Sequence, residues 1–273
     1  MTNQKLPNFD LLEFYQNIKK KESPTFVSQI RDLTRIEIGN GISLIIAVDS
    51  DGGIGPLDGD VVRCSAYQLG RFAMRVPLLE LLACGATPLA AFDMLTVPMK
   101  PHGSEIVRGV RDELNGAGLR NDFPLSGSTE DNVPTNMTGI GTTIIGIVHE
   151  TDLRPGTSRS NDVVLCIGVP KTGPEDQITL NDPEIISQQD FLKIRKIAAV
   201  HDILPVGSRG IYYEVGEMAR LAGLRINLGK TPAINIKKSA GPSTCVLISG
   251  TDDIIDLIKK QVKAPLFYIG KFI

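Results

Sequence analysis

Residues 42–48 read Ile42-Ser-Leu-Ile-Ile-Ala-Val48, and residues 49–60 read Asp49-Ser-Asp51-Gly52-Gly53-Ile-Gly55-Pro-Leu-Asp58-Gly-Asp60. The first stretch is a short, nearly continuous apolar run, the pattern of a buried strand. Four carboxylates and four glycines follow it. In α/β proteins, ligands sit just past strand ends. Carboxylates there suit Mg²⁺, and glycines let backbone N–H groups approach phosphates. An acidic surface turn has the same residues, so the stretch alone leaves both readings open. Within it, Asp58 and Asp60 read as solvated turn residues.

Outward from this point, strands and helices alternate. Asn40-Gly41 predicts a hairpin turn before the strand, after a short polar segment over 31–39. Val61–Cys64 reads as a short strand. Residues 66–83 carry apolar positions Leu69, Phe72, Ala73, Val76, Leu79, Leu82 and Ala83 at helical spacing. Pro77 inside that helix predicts a kink or a join. A strand over 89–97, a helix over 104–117 capped by Ser104, a polar loop over 124–134 and a strand over 141–148 complete the first half. Residues 154–162 form a turn-rich join and the expected boundary between domains 1–150 and 151–273. The second half reads as strands over 163–168, 224–228, 243–249 and 265–269, with helices over 186–200, 210–223 and 252–262. An amphipathic helix is expected over 8–22. Several strands are apolar throughout, so the fold class is α/β (α+β), with sheets covered by helices.

The 273 residues are 42% hydrophobic and 22% charged, with a formal net charge of -2. No basic stripe stands out, which argues against a nucleic-acid partner. No apolar run approaches the roughly 18 residues of a membrane span. The start is polar and lacks a leader-like apolar stretch. Cys64, Cys84, Cys166 and Cys245 are scattered, without a Cys-x-x-Cys pair. Reduced thiols in a cytoplasmic protein are therefore expected. His102, His149 and His201 do not fall at metal-ligand spacing, so a zinc hydrolase is excluded. The chain has neither a Gly-x4-Gly-Lys-[Ser/Thr] loop nor a Gly-x-Gly-x-x-Gly run. A nucleotide site would need another architecture.

Three further places carry chemistry. Glu80 sits among Leu78, Leu79, Leu81 and Leu82 near the end of the long helix; an isolated helix charge is more often solvated. Ser126-Gly127-Ser128-Thr129-Glu130-Asp131-Asn132 offers backbone N–H groups and carboxylate oxygens, but is also an ordinary Asx-rich turn. Pro205-Val-Gly207-Ser208-Arg209-Gly210 leads into a helix and suits an anion, or is a plain helix-start loop.

The order of these pieces resembles the aminoimidazole ribonucleotide synthetase (PurM-like) superfamily, which includes thiamine-monophosphate kinase, selenophosphate synthetase, a hydrogenase-maturation dehydratase and formylglycinamidine synthetase. Ser50-Asp51-Gly-Gly-Ile-Gly55 resembles its Asp-Gly-(x)-Gly loop. Glu80-Leu-Leu-Ala-Cys-Gly85-Ala86-Thr-Pro88 resembles its helix ending in Asp-(x)4-Gly-Ala-x-Pro. Gly127-Ser-Thr-Glu130 resembles its Gly-Gly-Glu/Asp-Thr loop. Arg154-Pro-Gly156 and Gly241-Pro-Ser-Thr244 resemble its linker and late strand. The departures are Glu for Asp at position 80, and a third loop whose ligand is Thr129 or Glu130.

The resemblance implies a two-domain fold whose N-terminal domain pairs with a second copy through a shared β-barrel. It implies ATP and Mg²⁺ in the cleft, with Asp51, Glu80 and Glu130 on the metal. Gly52, Gly53, Gly55, Gly127, Ser128, Thr129 and Asn132 would lie against the nucleotide. From loop placement alone, Asp49 is expected to orient the acceptor hydroxyl, and Arg75 or Arg209 to clamp a phosphate. Within the superfamily, Asp49-Ser-x-Gly-Gly-Ile-Gly55, Arg75-Val-x-Leu-x-Glu80 and Pro205-Val-Gly-Ser-Arg-Gly210 resemble the α-ribazole kinases of cobamide salvage. The expected activity is transfer of the ATP γ-phosphoryl group to a nucleoside 5′-hydroxyl. A thiamine-monophosphate kinase-like enzyme, a purine-pathway synthetase and a non-catalytic ATP-binding regulator are the alternatives.

Overall fold

The computed structural model describes residues 26–229 and 233–273, with Leu12, Tyr15, Gln16 and Lys19. The helix expected over 8–22 lies almost wholly outside these residues. The hairpin turn at Asn40-Gly41 is present, and both residues have positive φ, 52° and 72°. That handedness matches the twist of the strands it joins. They are β2 (Leu33–Gly39) and β3 (Ile42–Gly52), and β1 (Val27–Ile30) pairs with β2 on the other side. Residues 31–39 are therefore mostly strand; their polar side chains belong to a sheet near its edge.

The first sheet has the order β1-β2-β3-β8-β6-β7, with β6 at Thr87–Leu95, β7 at Leu125–Thr129 and β8 at Gly139–His149. All neighbours are antiparallel except β6 and β7. Within one chain this sheet is open. The strand β7 replaces part of the expected polar loop. It reads as loop because it is a short, exposed edge strand, and its pairing with β6 comes from the fold rather than from its own pattern. A Cβ at Gly127 would lie 2.2 Å from the Asp93 carbonyl oxygen, so packing on β6 demands glycine there.

Two helices cover one face of this sheet, α1 (Ala66–Ala83) and α2 (Ser104–Gly116). Ser65 caps α1, its hydroxyl accepting from the Gln68 N–H. Pro77 does not divide the helix. Proline removes the N–H that would have bonded the carbonyl four residues back. The Thr142 hydroxyl on β8 donates to that Ala73 carbonyl at 2.9 Å instead. Ser104 is not a cap; a wide turn over Met99–Gly103 runs directly into α2, and Gly103 already has helical φ and ψ. A short parallel pair, β4 (Ile54–Gly55) and β5 (Val62–Arg63), lies beside the glycine-rich stretch.

The second sheet is antiparallel, in the order β10-β12-β9-β13-β11. Its strands are β9 (Val163–Ile167), β10 (Val200–Pro205), β11 (Ile226–Leu228), β12 (Val246–Gly250) and β13 (Leu266–Phe272). With it go α3 (Gln188–Ile194), α4 (Gly210–Ala222) and α5 (Ile254–Gln261). The helix expected over 186–200 is only seven residues long. The chain then turns into β10, whose terminal Pro205 is tolerated because β10 is an edge strand. Buried side chains from both sheets join in one apolar cluster, and a second cluster lies under α4. No helix among the described residues is long and apolar enough to cross a membrane.

Candidate active site

A cleft of about 520 Å³ opens between the two halves. Helix α1 turns Gln68, Phe72, Val76 and Glu80 toward it, a row at spacing four along one face. The end of β3 adds Asp49, Ser50 and Asp51, and the β1–β2 turn adds Asp32. The opposite wall comes from the second half: residues 172–179, Gly207, Ser208 and the 239–243 loop. Five carboxylates line this cleft: Asp32, Asp49, Asp51 and Glu80 from the first half, and Asp176, paired with Lys238 at 2.7 Å, from the second; Arg63 is the arginine that lines it.

Burial raises Asp49, Asp51 and Glu80, and neighbouring carboxylate charge adds to the effect. Burial, then the charge of Asp49, raises Asp51 to about 6. Burial raises Asp49, with Asp32 adding to the effect and the Ser50 N–H opposing it. Glu80 stands well above the usual range through burial, then Asp32, Asp49 and Glu214. Burial, then Asp32, lifts Glu214 on α4 to about 7, although the Gly207 N–H bonds it. Glu80 Oε2 is enclosed and has no hydrogen-bond partner. Such a site gains by admitting a cation.

An Mg²⁺ ion fits this donor set. It takes hard oxygen ligands and binds through one or two carboxylates plus substrate phosphates. No three His, Cys, Asp or Glu side chains among the described residues are grouped closely enough to hold a metal by themselves. An arrangement completed by ligand oxygens agrees with both observations.

Other sequence-derived candidates sit elsewhere. Gly53 and Gly55 support the loop. The Gly53 N–H donates to Thr138 O at 2.9 Å, and a Cβ on Gly55 would lie 2.6 Å from Thr138 Oγ1. Neither lines the cleft, and Gly52 is exposed beside it. Asp58 is solvated, as expected. Asp60 is not: it is buried and accepts from the Thr138 N–H and hydroxyl, both at 2.7 Å, and from Leu57 N–H at 2.8 Å. It fastens the acidic loop to the start of β8.

Arg75 is not available as a phosphate clamp. Its buried guanidinium donates to the carbonyls of Ile186 and Ser243 in the second half and faces Glu113. Arg209 is exposed over the Tyr213 ring at 4.5 Å, outside the cleft lining. The third loop is also apart. Glu130 Oε1 accepts from the N–H groups of Asn132 and Val133, and Thr129 Oγ1 donates to Asp131. Gly127, Ser128, Thr129, Glu130 and Asn132 lie on or just beyond β7, three strand spacings from β3, or about 14 Å. Within one chain they do not meet Asp51 and Glu80. The sequence reading missed Asp32, which stands in Arg31-Asp32-Leu33 with no glycine or second acid to mark it.

Two α/β layers with an acidic cleft between them define the class of this fold. Residues 35–148 match the family model described as AIR synthase related protein, N-terminal domain. Among solved structures, thiamine-monophosphate kinase from Stenotrophomonas maltophilia K279a is 15% identical, with 98% of this chain and 94% of that chain covered and a TM-score of 0.57. Thiamine monophosphate kinase from Aquifex aeolicus is 14% identical, with 100% and 95% covered and a TM-score of 0.61. T. maritima PurL complexed with ATP is 15% identical with a TM-score of 0.59; 91% of this chain is covered but only 42% of that one. These likenesses establish the PurM-like fold. No curated protein sequence matches the chain.

Proposed function

We propose that the protein is an ATP-dependent kinase that phosphorylates a small-molecule hydroxyl. The observation that carries this reading is that Asp32, Asp49, Asp51 and Glu80 line one cleft, with Glu80 Oε2 buried and unpartnered. A polyphosphate cannot enter so acidic a cleft without a cation, and the fold is shared with two thiamine-monophosphate kinases and with a PurL that was complexed with ATP. Bound Mg²⁺ would neutralise charge on the transferring phosphoryl group.

Asp51 and Glu80 are the proposed metal ligands, with Asp32 beside them. Asp49, raised by burial, would orient the acceptor hydroxyl and take its proton. Arg63, on the cleft wall, takes the clamp role that Arg75 cannot fill. Phe72, Val76 and Ile54 give an apolar wall for an aromatic acceptor. The acceptor we favour is α-ribazole, on the strength of the loop resemblances; thiamine monophosphate is the alternative. A purine-pathway ligase and a non-catalytic ATP-binding regulator are the contrasting classes. A cytoplasmic location belongs to the same reading, in keeping with four free thiols.

The working unit is proposed to be a homodimer. The sheet face away from α1 and α2 carries Ile36, Leu44, Ile46, Val48, Ile145 and Ile147, and Val48 is 57% exposed. A second copy would cover this apolar surface. It would also provide a route by which Glu130 of one copy reaches the cleft of the other.

The test is a turnover screen with MgATP against α-ribazole, thiamine monophosphate and formylglycinamidine ribonucleotide. Phosphorylation of one acceptor, abolished by Glu80→Ala, is expected. Calorimetric MgATP binding without turnover on any acceptor would instead establish the regulator.

A further inference from the structure

On the side where the linker passes between the two sheets, a second pocket of about 440 Å³ is lined by Arg154, Arg159, Arg195, His201 and Thr157, with Gly85 from the end of α1 at its edge. It shares no lining residue with the acidic cleft. The charge pattern is the reverse of that cleft. None of the three arginines forms an ion pair with a carboxylate among the described residues. Arg154 donates one hydrogen bond, from Nη2 to the Arg195 carbonyl at 2.5 Å, and its Nη1 is enclosed without a partner. Arg195 Nε is likewise enclosed and unpartnered. Burial lowers both guanidinium pKa values, and the Arg154 charge adds to the effect on Arg195.

The nearby acids are already engaged. Asp202 is taken by Arg31 and by the N–H groups of Gly156 and Ile203. Asp162 accepts from His201 Nδ1 at 2.8 Å and from the Arg159 N–H at 2.8 Å. Asp152 is the remaining acid on the pocket, and it is exposed. The His201–Asp162 bond leaves the imidazole Nε2 without a hydrogen-bond partner among the described residues. Folding has thus gathered guanidinium groups that desolvate and repel one another, with hydrogen-bonding capacity left over. The Thr157 hydroxyl is spent on the Arg154 and His201 carbonyls, so the free capacity is cationic.

We propose that this pocket is a binding site for a small phosphate-type oxyanion, separate from the cleft. A tetrahedral oxyanion presents several acceptor oxygens to planar guanidinium donors and offsets their mutual repulsion. The site spans the linker, α3 and β10, so its occupant would brace the joint between the halves.

The experiment is calorimetric titration of the full chain with inorganic phosphate at fixed ionic strength, repeated with the cleft saturated by MgATP and repeated with acetate. Saturable binding of one phosphate is expected, unchanged by MgATP and at least tenfold tighter than acetate. Arg195→Gln should weaken it at least tenfold. The exposed Arg159→Gln, which threatens no packing, should weaken it severalfold while MgATP affinity stays constant. No saturable phosphate binding, displacement of phosphate by MgATP, or binding indifferent to both substitutions would overturn the assignment.

Discussion

The Arg31–Asp202 ion pair ties the first sheet to the second, and its removal gives a measurable consequence at two places. Arg31 Nη2 meets Asp202 Oδ2 at 2.5 Å, and Nη1 donates to Ile203 O at 2.8 Å. The side chains are 6% and 0% exposed. Asp202 also accepts from the Ile203 N–H at 2.8 Å and the Gly156 N–H at 3.3 Å. Burial raises the Asp202 pKa, while Arg31 pulls it back down. Replacing Asp202 with Ala leaves the arginine charge enclosed, with Nε already unpartnered. Breaking one side of a buried pair costs about 3–5 kcal/mol. Arg31→Met, Asp202→Ala and the double variant should be compared by urea unfolding at pH 7. The double variant should lose at least about 2 kcal/mol less than the two single losses together, because both charges leave at once. Arg31 also adopts φ 56°, a strained value for a non-glycine residue, directly before Asp32. Asp202→Ala should therefore weaken MgATP binding without touching the cleft. Strict additivity, or a single-variant loss below about 1 kcal/mol, would refute this account of the pair.

Three other perturbations are informative. Asp60→Ala strands two N–H groups and one hydroxyl, and should cost about 3–5 kcal/mol in chemical denaturation, since each orphaned group costs about 1–3 kcal/mol. Burial raises Asp93 to about 6 from 3.8, so the folded state holds its proton more tightly than the unfolded state. Its contribution to stability is full below about pH 4 and is lost as pH rises through about 6, a change of at most about 3 kcal/mol once solvent screening is counted. Asp93→Asn should flatten the stability-against-pH curve over that window relative to the parent protein. Val48→Lys, on the open sheet face, should give monomers by sedimentation if the proposed dimer forms through that face, with the fold intact by circular dichroism.

Sequence patterning made the main elements readable because their signals are local. The Asn40-Gly41 turn, the apolar run into β3 and the spacing of Leu69, Phe72 and Val76 each report on a few neighbouring residues. Pairings made at long range were not readable. The strand β7 looks like a loop because only β6 makes it a strand. Arg75 is a mixed case: helix spacing already puts it about 140° from Glu80, while its acceptors Ile186 and Ser243 come from far along the chain and carry no local mark. Asp60 looked like its neighbour Asp58, and only Thr138, far away in sequence, tells them apart. Glu80 stands out in the sequence through its apolar surroundings, whereas Asp32 has no such local mark.

The burial of Arg75 bears on how the molecule can be dissected. Its guanidinium rests on carbonyl oxygens contributed by Ile186 and Ser243, far beyond the stretch that matches the family model. Gln188 in turn reaches back to the Glu113 carbonyl. A fragment cut at the linker would expose a guanidinium whose acceptors lie on the missing piece, along with the apolar flank of α1. The matched stretch is thus recognisable in sequence without being portable. Grafting or swapping it would require its counterpart to travel with it.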